Sequence, residues 1–360
     1  MKNSITALLT RWNGKLNRKR FVITAAAGAA LLGIIVVATF NATATPRSTA
    51  EIQIQGWVDT LKDNSLTTQR QQAQQNLENA GAVAVPQLLA ALHSENASQR
   101  QNAADMLGYI ASPAATQGLV TVLRSDAVPT VRQKAAYSLG EIQDPAAIND
   151  LQQASITDRS QIVRGAAADS LARIRTVLAT SAGLNEQFVG AFAAAPSQSN
   201  LLFVAANRDL HTSTDGDKTW VTSNTVLPSQ VSSLAVNPNN PQELYVGIES
   251  MGLYKSTDGG KTWAANNSGI TLMPGARETI SAIAIDPTNP NTIYLARGAW
   301  VGTGTVTFYP TGLMSSRDGG NTWQALSTGS MSEAIAQLAF RDGQLYGLAG
   351  DHVLTLVTPQ

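Results

Sequence analysis

The 360-residue chain carries 25 basic and 25 acidic side chains, so its formal net charge is zero, and apolar residues make up 43% of it. Six basic residues and no acid fall within residues 1–20, which leaves 19 basic and 25 acidic side chains in the other 340 residues. An acidic bulk does not favour nucleic acid as a partner, because such binding rests on phosphate neutralisation by Lys and Arg. The absence of cysteine excludes disulfides, thiolate metal sites and cysteine nucleophiles.

An uncharged apolar run occupies residues 21–40, directly after the basic segment at residues 1–20. As a helix it would be about 30 Å long, which is the thickness of a bilayer core. The positive-inside rule then predicts a cytoplasmic N-terminus and an exported bulk. A cleaved signal peptide is the alternative, because Ala42-Thr43-Ala44 offers a small-x-small site. The run is longer than a usual signal-peptide core, so we expect an uncleaved single-pass anchor in a bacterial cytoplasmic membrane, followed by a linker at residues 41–55.

An arginine recurs about every 32 residues in the segment after the linker, with small or apolar residues 3, 7 and 10 positions later. These offsets place the side chains on one face of a helix. In the first three units the pattern S/T-x-x-Q predicts capping boxes that start at Thr68, Ser98 and Thr130. The recurring arginines are Arg70, Arg100, Arg132 and Arg164.

The phrase VRQKAAYSLGEI at residues 131–142 resembles HEAT repeats, and more narrowly the short HEAT-like repeats of bacterial phycobilisome-lyase-type proteins. The resemblance implies an α-solenoid of helix pairs over residues 56–180, in which the recurring arginines brace adjacent repeats. Lyase activity does not follow from the repeat alone. A solenoid of four units offers a curved surface suited to binding another protein.

Three octets of one pattern stand in residues 185–360, where the helical periodicity stops: STDGDKTW, STDGGKTW and SRDGGNTW. They resemble the Asp-box of bacterial neuraminidase-type, sortilin-type and photosystem II assembly-factor-type β-propellers. The resemblance implies tight hairpins in which Asp accepts backbone N–H groups and Trp packs beneath the turn. Asp217 replaces a glycine of the pattern, so a looser or differently bonded first turn is expected. The structural residues of the boxes are Ser213, Asp215, Trp220, Ser256, Asp258, Gly260, Trp263, Ser316, Asp318, Gly320 and Trp323.

The number of blades is the open point of this second domain. The octets are 43 and 60 residues apart, which indicates an insertion at residues 297–310, and residues 335–358 hold three further short strands without a box. Either a small four-bladed ring or an open arc satisfies this count. We favour a partial propeller, whose exposed strand edges a partner or a second copy of the chain could cover.

The sequence offers no catalytic, metal-binding or cofactor-binding set. No arginine stands in the Arg-Ile-Pro setting of neuraminidases, and Lys255 occupies the first glycine position that a phosphate-binding loop ending in Gly260-Lys261-Thr262 would need. The calcium-loop start at Asp215 lacks its glutamate, because Val226 stands at the twelfth position.

We therefore expect a membrane-anchored, non-enzymatic scaffold on the periplasmic or outer side, which binds other proteins of a membrane complex. The propeller resemblance implies an accessory or assembly role in a bioenergetic complex. A glycan-directed binder or sialidase-like hydrolase, and a sortilin-like peptide receptor, are the alternatives.

Overall fold

The computed structural model describes residues 48–63, 65, 67–184, 189–273, 276–302, 305–326, 333–350 and 352–356. The chain divides into two compact units, residues 1–52 and residues 53–360. Over the described ranges, no helix has the length and apolar character needed to cross a bilayer. The basic segment at residues 1–20 and the anchor expected at residues 21–40 lie outside these ranges.

Eight α-helices come first in the described part of the chain, arranged as successive short and long helices. Short 3-10 turns at residues 81–84, 113–115 and 145–147 lead into the shorter helices. The helices are α1 (Thr49–Thr60), α2 (Thr68–Ala80), α3 (Val85–Ala91), α4 (Ala97–Ile110), α5 (Thr116–Ser125), α6 (Pro129–Ile142), α7 (Ile148–Thr157) and α8 (Gln161–Ser181).

The long helices α4, α6 and α8 pack side by side because small residues recur along their contact. Ala103, Ala135 and Ala167 are fully buried there. A Cβ built on Gly108 would lie 2.6 Å from Ser138 Oγ, and one on Gly140 would lie 2.5 Å from Ser170 Oγ. The helices approach too closely for a larger residue at either glycine. The 32-residue period of the sequence is therefore the period of this packing.

The predicted capping boxes are wrong in their positions. Helix α2 is capped by Thr67, whose hydroxyl accepts from Arg70 N, and α4 by Asn96, whose side chain accepts from Gln99 N. Helix α6 starts after Val128 without a side-chain cap and has Pro129 in its first turn. The hydroxyls that the pattern selected lie inside the helices, where a cap residue's extended backbone is absent.

Four antiparallel sheets follow in order along the described part of the chain, three with four strands and the last with three. In each sheet the strands are neighbours in chain order, as in the blades of a propeller. Blade 1 is β1–β4 (Val189–Ala195, Gln198–Ala206, Asp209–Ser213, Val221–Thr222), and blade 2 is β5–β8 (Val231–Asn237, Asn240–Ile248, Gly252–Ser256, Ala264–Ala265). Blade 3 is β9–β12 (Arg277–Ile285, Ile293–Val301, Thr307–Ser316, Gln324–Leu326), and blade 4 is β13–β15 (Ile335–Arg341, Gln344–Ala349, His352–Leu356).

Hydroxyl groups join consecutive blades at equivalent positions of their first strands. Ser232 of β5 donates to Ile280 O of β9 at 2.9 Å, and Ser281 of β9 donates to Ile335 O of β13 at 2.6 Å. Ala336 stands at the same position of β13 and has no hydroxyl to offer. These two bonds therefore link blade 2 to blade 3 and blade 3 to blade 4.

Helix α7 lies against the first strands of both the first and the last blade. Asn149 Nδ2 donates to Ala194 O of β1 at 3.3 Å, and Gln153 Nε2 donates to Phe340 O of β13 at 3.1 Å. From blade 4, Arg341 Nη1 donates to Thr157 O at the end of the helix, at 2.7 Å. Helix α7 of the solenoid thus contacts both the first and the last blade.

Candidate protein-binding surface

The three octets form turns with one hydrogen-bond pattern. Each aspartate accepts the backbone N–H of the threonine four residues later at 2.9 Å and its hydroxyl at 2.6 Å. Each serine hydroxyl donates to the aspartate and accepts a backbone N–H from four residues later. These bonds satisfy the turn's own polar groups, so the octets hold the blade corners together.

The first turn keeps this pattern although Asp217 replaces glycine. Asp217 N donates to Ser213 Oγ at 3.0 Å, and its backbone adopts a φ of 79°. This contact is longer than the 2.8 Å of the other two turns, which also have a 3.3 Å bond from the aspartate N–H to the serine hydroxyl, so the first turn is slightly looser, as expected. At the equivalent position of the second octet a side chain does not fit, because a Cβ on Gly260 would lie 2.3 Å from Leu210 Cδ2 of blade 1. Blade 1 has no blade before it, so a side chain fits at Asp217.

The octet aspartates make the blade corners sensitive to acid. Hydrogen bonds from the Thr hydroxyl and backbone N–H lower the pKa of Asp215, Asp258 and Asp318 from 3.8 to about 2. The unfolded chain therefore binds more protons between these values, and the stabilisation is complete above about pH 4 and is lost as the pH falls towards 2. We expect Asp258→Asn to lower the thermal midpoint at pH 6, with the gap from wild type closing by pH 2. A gap that stays constant from pH 6 to pH 2 in circular dichroism melts would contradict this assignment.

The three octet tryptophans occupy different surroundings. Trp323 is 3% exposed and lies in a core cluster between blades 2 and 3. Trp263 is partly exposed and donates to Gly260 O at 3.1 Å. Trp220 packs against the solenoid, and its Nε1 donates to Ser181 Oγ of helix α8 at 3.1 Å. The octet tryptophan thus packs among the blades in the second and third octets and against the helices in the first.

The recurring arginines of the helices differ in their hydrogen-bond partners. Arg100 and Arg132 each reach a carboxylate 26 residues later with two nitrogens, at Asp126 (2.6 and 3.0 Å) and Asp158 (both 2.8 Å). Arg70 Nη2 instead donates to Asn102 Oδ1 at 3.0 Å. Arg164, in the last helix, donates to Asp158 O at 3.0 Å. The bonds of Arg70, Arg100 and Arg132 join neighbouring repeats, whereas that of Arg164 is local.

A group of exposed apolar side chains lies on an extension of the β10–β11 hairpin in blade 3. The two strands pair as far as Val301 and Thr307, beyond the level at which the equivalent hairpin of blade 2 ends. The extension falls within the residues that the octet spacing marks as an insertion. Four large side chains on it are 37–54% exposed: Trp300, Val301, Val306 and Tyr309.

The extension is held in shape by its own aromatic packing. The Phe308 and Trp300 rings meet edge to face, with centroids 5.0 Å apart. A Cβ on Gly298 would lie 1.9 Å from the Phe308 ring, so only glycine lets this ring lie across the strand. Arg277 covers the other side of Trp300, with Cζ 5.7 Å from its ring centroid. Exposed Trp and Tyr side chains on a preformed support are typical of protein-binding surfaces.

The sequence analysis placed the insertion correctly but did not single out its aromatic residues. The signal was present, because Trp300, Phe308 and Tyr309 are aromatic residues within a segment that the other blades lack. Whether these side chains are exposed depends on the strand register. The pairing of Trp300 with Phe308 is seen only in the formed hairpin.

A family model of HEAT repeats matches residues 85–172, and this part of the chain consists of HEAT repeats. No curated protein matches the chain by sequence. Among solved structures the chain is similar to an ancestral GH74 enzyme, at 25% identity and a TM-score of 0.39, over 47% of this chain and 23% of that one. The chain thus spans less than a quarter of that enzyme.

Two further solved structures are each similar to part of the chain. The complex of CpcE and CpcF of phycocyanin lyase from Nostoc sp. PCC7120 shows 26% identity and a TM-score of 0.32, over 35% of this chain and 81% of that one. YCF48 bound to a D1 peptide shows 13% identity and a TM-score of 0.25, over 49% and 79%. The fold is a HEAT-repeat region followed by a four-blade β-propeller arrangement, and both architectures are compatible with a protein-binding scaffold.

Proposed function

We propose that the chain is a non-catalytic scaffold that binds a protein of a membrane complex at the outer face of a bacterial cytoplasmic membrane. The observation that carries the proposal is the hairpin extension, which presents Trp300 and Tyr309 to solvent on a packed support. Burying such side chains against a partner removes a large apolar area from water. Their pre-organisation also keeps the entropy cost of binding low.

The proposal also includes the membrane location of the protein and the type of its octet turns. The apolar run at residues 21–40 supports a single-pass anchor, and its basic flank supports a cytoplasmic N-terminus. The octet bonds support assigning the three turns to the Asp-box type. An accessory or assembly role in a bioenergetic complex is part of the same proposal. Its binding face is the hairpin extension together with the exposed side of the long helices, where Tyr109 is 66% exposed.

The test is site-specific photo-crosslinking of the full chain in native membranes. A photo-reactive amino acid replaces Tyr309 in one variant and Val221, which is 69% exposed on blade 1, in a control. We expect Tyr309 to cross-link to one protein of a membrane complex and Val221 to give no such product. Trp300→Ser is expected to lower recovery of the complex in mild detergent at least about tenfold, since interface tryptophans often contribute 2 kcal/mol or more. Val221→Ser should leave recovery unchanged.

Two results would count against the scaffold. The first is recovery of the wild-type chain alone, at monomer mass, with no product from Tyr309. The second is saturable turnover of any member of a fluorogenic glycoside panel by the purified protein, which would favour a hydrolase.

A further inference from the structure

The outer edge of strand β11 is uncovered along the hairpin extension. In blade 2 the chain closes the equivalent edge near the start of the third strand, because Asn266 N donates to Leu253 O at 2.8 Å. In blade 3, β12 pairs only with residues 313–315 of β11. Over residues 307–311, no strand of the described chain pairs with the side of β11 that faces away from β10. The main-chain N–H and C=O groups on that side are therefore available to another strand.

This edge lacks the features with which proteins usually prevent strand addition. Residues 298–316 contain no charged side chain, so no lysine or glutamate stands on the edge. A proline and a register shift come only at Pro310 and Thr311, where the regular edge ends. The uncovered edge at residues 307–309 consists of one β-branched and two aromatic residues, which are types that favour strand pairing.

The exposed aromatic side chains of the extension lie on opposite faces of the hairpin. Trp300 lies opposite Phe308, and Tyr309 belongs to the next pair of the ladder. Because neighbours along a strand point to opposite faces, Trp300 and Phe308 share one face and Tyr309, which is 54% exposed, stands on the other. A helix laid on one face would reach only one of these two sets. The uncovered edge adjoins both.

We propose that the partner binds as a short, uncharged extended segment that pairs with β11 at residues 307–309, an inference that rests on the proposed function. A strand added there hydrogen-bonds to the main chain of β11. Its alternate side chains then lie beside Phe308 on one face and beside Tyr309 on the other. A segment without charge fits because docking here would bury a charged side chain against aromatic rings.

The test maps photo-cross-links from consecutive positions of β11 in the full chain, in native membranes. A photo-reactive phenylalanine derivative replaces Thr307, Phe308 or Tyr309 in separate variants, and mass spectrometry identifies the partner residue that each variant reaches. We expect Thr307 and Tyr309 to reach partner residues about two positions apart and Phe308 to reach the residue between them, because paired strands advance together. A helical partner would give steps of about three or four residues, from one face of the hairpin alone.

A charge placed on the edge tests the same pairing through affinity. Thr307→Lys is expected to lower recovery of the complex in mild detergent at least about tenfold, because strand pairing would bury the added cation. Thr307→Val keeps a β-branched side chain without a charge and should leave recovery unchanged. Val221→Lys, on the outermost strand of blade 1, should leave it unchanged as well.

The outcomes separate this inference from the proposed function. A product at Tyr309 with none at Phe308, steps of about three or four residues along the partner, or unchanged recovery in Thr307→Lys would overturn strand pairing and leave the scaffold proposal standing. Cross-links to a second copy of this chain would also overturn it. The lack of a product at all three positions would contradict both proposals.

Discussion

Replacing Arg132 by alanine is expected to lower the free energy of unfolding by about 3–5 kcal/mol, the usual cost of removing one partner of a buried ion pair. Its side chain and that of Asp158 are 12% and 6% exposed, and both Nε and Nη2 bond the carboxylate. A third bond joins Arg132 Nη1 to Asp126 O at 2.8 Å. The substitution leaves the buried Asp158 carboxylate without its counter-ion, with only the Ser160 N–H still donating to it, and leaves Asp126 O without this donor, so the penalty exceeds the value of the bonds alone. Urea-induced unfolding followed by far-UV circular dichroism measures the loss.

The matched control for Arg132 is Arg173→Ala. Arg173 also pairs with an acid of a neighbouring helix, Glu141, but the two side chains are 48% and 56% exposed. Solvent screens this pair, so the expected loss is about 0–1 kcal/mol. Equal losses in the two variants would refute the view that buried arginines brace the repeats.

Replacing Trp323 by alanine is expected to cost about 3–5 kcal/mol, because it removes a large buried side chain and leaves a cavity. The indole packs in the cluster that contains Tyr245 and Leu295, and the main-chain N–H of Trp323 donates to Ser268 O at 2.8 Å. The vacated space would lie between two blades, where the surrounding strands are fixed by their ladders and cannot collapse into it.

Trp263→Ala serves as the comparison for Trp323. Trp263 holds the same octet position but is partly exposed, so its removal exposes less apolar surface and leaves a smaller void. We expect its loss of stability to be about half that of Trp323→Ala or less. Unfolding curves in urea for both variants test the ranking. An equal or larger cost at Trp263 would show that the octet turn, and not burial between blades, sets the contribution of these residues.

The repeats of this protein could be predicted from sequence because each repeat unit carries its own local signal. Offsets of 3, 7 and 10 from each arginine report a helix face, and the octets report hairpin turns. Helix starts were less accessible: Asn96 caps α4, whereas the sequence pattern favoured Ser98. The two residues are close in sequence and similar in capping ability, so only the backbone path separates them.

Contacts between distant parts of the chain could not be read from the sequence. Tyr245 donates to Gly319 O at 2.8 Å across two blades, a bond that requires both sheets in place. Arg175 belongs to the final helix, and its position two residues after Arg173 gives no sign that one lines a cavity while the other faces solvent. The same holds for the first and last blades, because a residue pattern cannot show that helix α7 packs against both.

The position of helix α7 in the sequence means that it is synthesised before the blades that it contacts. The helix leaves the ribosome before any strand, so the template for the last blade exists while that blade is still being translated. The contact between Gln153 and Phe340 joins residues 187 positions apart. Closing so long a loop costs entropy, so we expect docking of the C-terminal blade onto the helix to be slow. Until that blade docks, Phe340 O and Thr157 O lack the donors that they have in the folded chain.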